Sequence, residues 1–82
     1  MKVDNNILLK YIGNRFVTFR EERGITRAKA AEMIGVTPRT LASYERGERE
    51  MTAVTAVKMA EAYRTTFTNL TNYKNVLNEI NA

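Results

Sequence analysis

The chain contains no cysteine, no histidine and no tryptophan, and only one proline and four glycines in 82 residues. Without cysteine there is no disulfide framework and no thiolate ligand. Without cysteine or histidine the zinc sites built on sulfur or imidazole are excluded, as is nucleophilic catalysis with a histidine base. Serine–lysine and carboxylate chemistry stay formally open. No acid–base pair stands out for them, however, and the glycines form no phosphate loop, so the expectation is no enzyme, no metal and no cofactor. No apolar run approaches the roughly 20 residues that a membrane-spanning helix needs. The opening stretch MKVDNNILLKYIG carries Asp4 and has no small-residue cleavage site, which excludes a signal peptide. These absences lead us to expect a cytoplasmic protein.

The residues that are present describe one small folded domain over 1–82. Hydrophobic residues make up 44% of the chain and charged residues 27%, enough for one modest core and too apolar for disorder. A core of this size rarely supplies more than about 3–5 kcal/mol, so dimerisation would help. Thirteen Lys and Arg face nine Asp and Glu, a net charge of +4, and the pI is near 9.7. Eight of the cations are arginine, whose planar fork matches phosphates and guanine edges. A basic domain is a candidate for nucleic-acid binding, although basicity alone is a weak signal.

Helical periodicity recurs along the chain and strand alternation is not convincing anywhere, which predicts an all-α protein. The first helix starts after Asp4 or Asn5 and carries Ile7, Leu8, Tyr11, Ile12, Phe16 and Phe19 on one stripe, ending before Gly24. Thr26 caps a second helix that Gly35 stops. Thr37 caps a third, which has Pro38 at its first position, where the missing N–H costs nothing, and which runs to about Arg46. Thr52 caps a fourth with an apolar face of Val54, Val57, Met59, Ala60 and Tyr63, and Thr66 caps a fifth. The spacing of Tyr73, Val76, Leu77 and Ile80 predicts a helical C-terminal tail. Phe16, Phe19, Leu41, Tyr44, Val57 and Met59 are the expected core.

The informative stretch is RAKAAEMIGVTPRTLASY, residues 27–44. Ala31 is small where two short helices must approach, Gly35 sits at the turn, and Ala30, Ile34, Val36, Leu41 and Tyr44 are apolar where both helices meet a core. This is the pattern of a helix-turn-helix over residues 27–46, whose second helix lies in the DNA major groove. At this point the chain resembles the Cro/repressor-type helix-turn-helix proteins of phages and bacteria, the XRE type. The run REERG, the Gly35-Val36-Thr37 turn and the closing YERGER are in family register, and the resemblance covers about residues 12–70. It implies five helices, with helices two and three the helix-turn-helix, and double-stranded DNA as the partner of a transcriptional regulator in the nucleoid; the first helix, read from its own stripe, is extended for so small a domain.

The resemblance also implies roles. Arg39 and Ser43 match groove-facing positions, and Thr40 and Pro38 flank them as further base-contact candidates; Arg39 can fork onto guanine O6 and N7. Thr40 is as suited to a phosphate as to a base. Pro38 stands where the family often has a polar base-reading residue, and its side chain offers at most contact with a thymine methyl. Thr26, Arg27, Thr37, Arg46 and Arg49 are the phosphate-contact candidates. Thr26 and Thr37 cap helices whose N-termini attract anions, and Arg27 replaces a frequent phosphate-binding glutamine. For Arg46 and Arg49 a second reading stays open, as loop charges neutralised by Glu48 and Glu50. Arg20 and Glu45 match a structural ion pair that orients the recognition helix.

Phe67, Leu70, Tyr73, Val76, Leu77 and Ile80 are the candidates for a dimer interface, the favoured use of residues 67–80; the alternative for the tail stripe is packing on the first helix of its own chain. Two function classes follow. One is a regulator, chiefly a repressor, that binds a pseudo-palindromic operator as a homodimer; small phage Cro-like proteins and restriction-modification controllers are of this size, and from 82 residues no second, ligand-sensing domain is expected. The other is an antitoxin-type interaction module that neutralises a protein partner and represses its own promoter. A toxin or an antirepressor would be the protein partner.

Overall fold

Five helices among the described residues each start where a short polar side chain takes up the first free amides. The computed structural model describes residues 4–72 together with 74, 75 and 78. Asp4 caps α1 (Asn5–Glu22), accepting from the Asn6 N–H at 2.8 Å. Thr26, Thr37, Thr52 and Thr66 cap α2 (Arg27–Ile34), α3 (Pro38–Glu45), α4 (Ala53–Ala62) and α5 (Phe67–Thr71). In all four the hydroxyl accepts from the N–H three residues on, at 3.1 Å. Each such cap is worth about 1 kcal/mol, which matters for helices as short as these.

The α2–α3 turn is closed by Gly35 at φ +84°, in the left-handed region that favours glycine. The N–H groups of Gly35 and Val36 both donate to the Ala31 carbonyl, at 2.9 and 3.0 Å. Thr37 follows at once and starts the next helix. Ala30 and Ala31 are fully buried, so α2 presents almost no side-chain bulk and lies close against α3 and α4. α1 backs onto α3 and α5. Leu41, Met59, Tyr63 and Leu70 are the largest fully buried side chains, and Phe16, Ile34 and Tyr44 complete the centre. The five-helix, all-α architecture expected from the sequence is the one adopted among the described residues.

Several expected core and surface positions change places. Val57 is 57% exposed and Val54 65% exposed, so neither is core. The buried face of α4 is Ala56, Met59, Ala60 and Tyr63, at i, i+3, i+4 and i+7. At about 100° per residue Val57 stands a quarter-turn from that face and Val54 nearly opposite it. Ile7 is 56% exposed, in the first turn of α1, and Phe19 is only partly buried. Leu70, expected at a dimer interface, is fully buried inside this chain and is unavailable to a second copy. Tyr73, Val76, Leu77 and Ile80 lie outside the described residues.

Phe19 has a different use. Its ring is flanked by two guanidinium groups, Arg15 at 4.9 Å and Arg23 at 4.8 Å from the centroid, a favourable contact with the electron-rich faces. The same two arginines reach carbonyls near the ends of other helices. Arg15 donates to Asn69 and Leu70 of α5, and Arg23 to Tyr63 at the end of α4. α1 thus holds the late helices through carbonyls that lack helical partners or sit in a last turn.

Candidate nucleic-acid interface

α3 buries Leu41, Ala42, Tyr44 and Glu45. The opposite face carries Arg39, Ser43 and, at the C-cap, Arg46, spaced i, i+4 and i+7. Pro38 and Arg39 are exposed, and Thr40 and Ser43 are half-buried. The Thr40 N–H and hydroxyl both engage the Thr37 hydroxyl, at 3.1 and 3.0 Å. The Ser43 hydroxyl donates back to the Arg39 carbonyl at 3.2 Å, leaving its oxygen free to accept. Ala42, next to Ser43 in the chain, is buried. Arg39 makes no side-chain hydrogen bond among the described residues, so its whole fork faces outward.

The inner end of α3 is held by charge. Arg20 Nε donates to Glu45 Oε2 at 2.7 Å and Arg20 Nη2 to Oε1 at 3.3 Å. Both residues are buried, at 8% and 4% exposure. Arg20 Nη1 also donates to the Ile25 carbonyl at 2.9 Å. The hydrogen bond to Glu45 raises the Arg20 pKa further above its ordinary value, against the opposing effect of burial. A buried pair of this kind contributes little net stability but fixes orientation, because either charge left alone would be costly. The expected pairing of Arg20 with Glu45 is present.

Arg27 joins the same carboxylate, donating from Nε to Glu45 Oε1 at 3.0 Å while its side chain stays 47% exposed. Sequence reasoning missed this link, since eighteen positions separate the two residues and no local pattern relates them. Tyr63 lies under the cluster. Burial, and then the Glu45 charge, push its pKa up to about 12, with Arg20 acting in the opposite sense. Its hydroxyl has no hydrogen-bond partner among the described residues.

The remaining candidates divide. Thr26 and Thr37 are exposed caps with their hydroxyls committed to Lys29 and Thr40. Arg46 Nε pairs with Glu48 at 3.0 Å, both residues exposed; such a surface pair is worth at most about 1 kcal/mol and is readily exchanged for a phosphate. Arg49 is exposed and borders an apolar gap of about 190 Å³ between α1, the α3–α4 loop and α5, lined by Leu8, Leu9, Ile12, Met51 and Phe67 among others. Phe67 is 46% exposed there. Among the described residues no helix is long and apolar enough to cross a membrane, and no cluster of His, Cys, Asp or Glu could hold a metal ion.

A family model described as helix-turn-helix (HTH_3) matches residues 18–70, from the second half of α1 to α5. The chain belongs to the helix-turn-helix family. Within it, the chain is 34% identical over 53 residues to the uncharacterized HTH-type transcriptional regulator y4dJ of Sinorhizobium fredii, a match covering 65% of this chain and 69% of the relative. Among solved helix-turn-helix structures, the restriction-modification controller protein C.AhdI of Aeromonas hydrophila superposes with a TM-score of 0.73 at 26% identity, over 76% of this chain and 94% of that one. An HTH_3 family transcriptional regulator from Vibrio cholerae gives 0.78 at 26% identity, over 90% of this chain and 42% of that one. The clp gene regulator ClgR of Corynebacterium glutamicum shares the fold, at 0.77 and 23% identity, over 88% of this chain and 80% of that one. The protein is thus a transcriptional regulator of the Cro/C1 type, with a helix-turn-helix DNA-binding fold.

Proposed function

We propose that the protein is a sequence-specific repressor whose single DNA-binding unit spans 1–82 and which acts on the nucleoid as a homodimer. The observation that carries this reading is the outward face of α3. Arg39 and Ser43 stand opposite the buried face of a helix whose far end is locked by the Arg20–Glu45 pair. In this reading α3 enters the major groove, Arg39 forks onto a guanine, and Ser43, Thr40 and Pro38 meet neighbouring base edges. Thr26, Arg27, Thr37, Arg46 and Arg49 take the flanking phosphates.

Two α3 helices in a dimer would read half-sites about one helical turn, roughly 34 Å, apart. The half-exposed Phe67 beside the Leu8–Leu9 gap supports a self-association surface. A controller protein such as C.AhdI is a precedent for a small regulator of this fold.

Selection of genomic DNA fragments at near-physiological salt, with the unmodified protein and with Arg39→Ala in parallel, tests the reading. The expected result is one two-fold symmetric motif for the unmodified protein. In the variant a guanine preference within each half-site is lost, a change of about 1–3 kcal/mol in discrimination. Weak binding with no motif and no difference between the two proteins would overturn it, and co-purification of a protein partner would then favour the antitoxin class.

A further inference from the structure

Arg27 uses only one edge of its guanidinium on Glu45. Nε is bound at 3.0 Å, and among the described residues neither terminal nitrogen has a protein partner. The carboxylate that holds it is 1% exposed. That carboxylate is also matched by Arg20, at 2.7 Å from its other oxygen. Two cations therefore share one anion, and the positive charge left over belongs to the more exposed of the two, with the Arg27 side chain 47% open against 10% for Arg20. Glu45 gives Arg27 a direction without cancelling its charge.

We propose that Glu45 is a positioning residue that holds Arg27 as a preset phosphate clamp, with Nε on the carboxylate and the two terminal nitrogens turned to a single DNA phosphate. The proposal rests on the DNA-binding reading above and adds a division of labour within the guanidinium. Arginine suits it because a planar fork binds two anions on separate edges. Lysine has one nitrogen for both tasks, and glutamine has no charge. Because Glu45 closes α3 and Arg27 opens α2, the phosphate contact is tied to the orientation of the recognition helix.

The test measures binding to a duplex carrying the selected motif over a range of salt, for the unmodified chain, Arg27→Gln, Arg27→Lys, Glu45→Gln and Arg27→Gln/Glu45→Gln. Arg27→Gln should weaken binding about tenfold or more and reduce the slope of log affinity against log salt by about one. Arg27→Lys should keep the slope and still lose affinity. Glu45→Gln should weaken binding by the unmodified chain by a clearly larger factor than it does when Arg27 is already glutamine, because only in the first case is the clamp lost together with the Arg20 anchor of α3. Equal losses in both backgrounds would overturn the proposal, as would an Arg27→Gln variant that melts earlier yet keeps the full salt slope.

If Glu45→Gln does not fold, the Arg27 Nε–H resonance of the unmodified chain decides the matter. In the free protein it should exchange with solvent more slowly than that of Arg39, which has no side-chain partner among the described residues; equal exchange overturns the clamp. Absence of any duplex binding by the unmodified chain would instead remove the DNA-binding reading itself.

Discussion

Gly13 lies directly against the backbone of Glu45: a Cβ on that glycine would stand 2.5 Å from the Glu45 carbonyl oxygen and 2.8 Å from that of Tyr44. One turn earlier on α1 the relation is reversed. A Cβ on Gly47, which also sits at φ +69°, would come within 2.7 Å of Lys10 Cα. The two glycines let the backbones of α1 and the end of α3 touch. α1 therefore grips the same residue twice, at its carbonyl through Gly13 and at its carboxylate through Arg20.

Replacing Gly13 with alanine sets two effects against each other. Alanine gains about 1 kcal/mol of helix propensity. The new methyl meets backbone atoms rather than a yielding side chain, and such overpacking costs about 1–3 kcal/mol or more. The clash should win. Urea denaturation should show Gly13→Ala less stable by about 1–2 kcal/mol on these magnitudes. A variant as stable as the original would mean that α1 and α3 are further apart than described.

The buried pair predicts an asymmetry between single and double replacement. Arg20→Met leaves Glu45 buried without its main partner and should cost about 3–5 kcal/mol, enough to unfold much of a domain this small. Arg20→Met combined with Glu45→Leu removes both charges and should recover most of that loss. Thermal melts of the two variants check it; a single variant that loses less than about 1 kcal/mol would show the pair to be unimportant.

Tyr63 makes stability depend on alkaline pH. Its folded-state pKa of about 12 lies above the ordinary value of 10. Below pH 10 the phenol is neutral in both states and the contribution is complete. Between pH 10 and about 12 the unfolded chain releases the proton while the folded chain keeps it, so stability falls as pH rises, at up to about 1.4 kcal/mol for each pH unit. Tyr63→Phe should lack this component, so its stability relative to the original should increase over that range. At neutral pH it should equal or exceed the original by up to about 1 kcal/mol, because the deleted hydroxyl is buried without a partner. Denaturation curves of both proteins at pH 8 to 11 measure the difference, and parallel pH profiles would contradict it.

On α4, Met59 and Val57 should respond very differently to truncation. Met59 is fully buried and Val57 is 57% exposed. Met59→Ala should cost about 2–5 kcal/mol, whereas Val57→Ala should stay within about 0.5 kcal/mol. Comparable losses at the two positions would place Val57 in an interface that the isolated chain does not show.

The sequence by itself determined where the helices begin and end. Threonine caps at 26, 37, 52 and 66, Pro38 at a first helical position and Gly35 at a turn are local signals, each complete within four residues, and all were legible. The Arg20–Glu45 pair and the outward placement of Arg39 were legible only through family register, because contacts across twenty-five residues leave no periodic trace.

Which face of each helix is buried was decided by tertiary packing. On α4 two alanines, a methionine and a tyrosine take the core ahead of two valines, because the face at 56, 59, 60 and 63 is the one packed against α2 and α5. Leu70 went inward because α5 packs against both α1 and α4. Gly13 left a local sign of its long-range contact, a glycine inside a helical run, which points to a close approach of backbones. Its partner, like the link from Arg27 to Glu45, depends on how α1 and α2 cross α3. That crossing is set by the sum of many weak contacts rather than by any short stretch of chain.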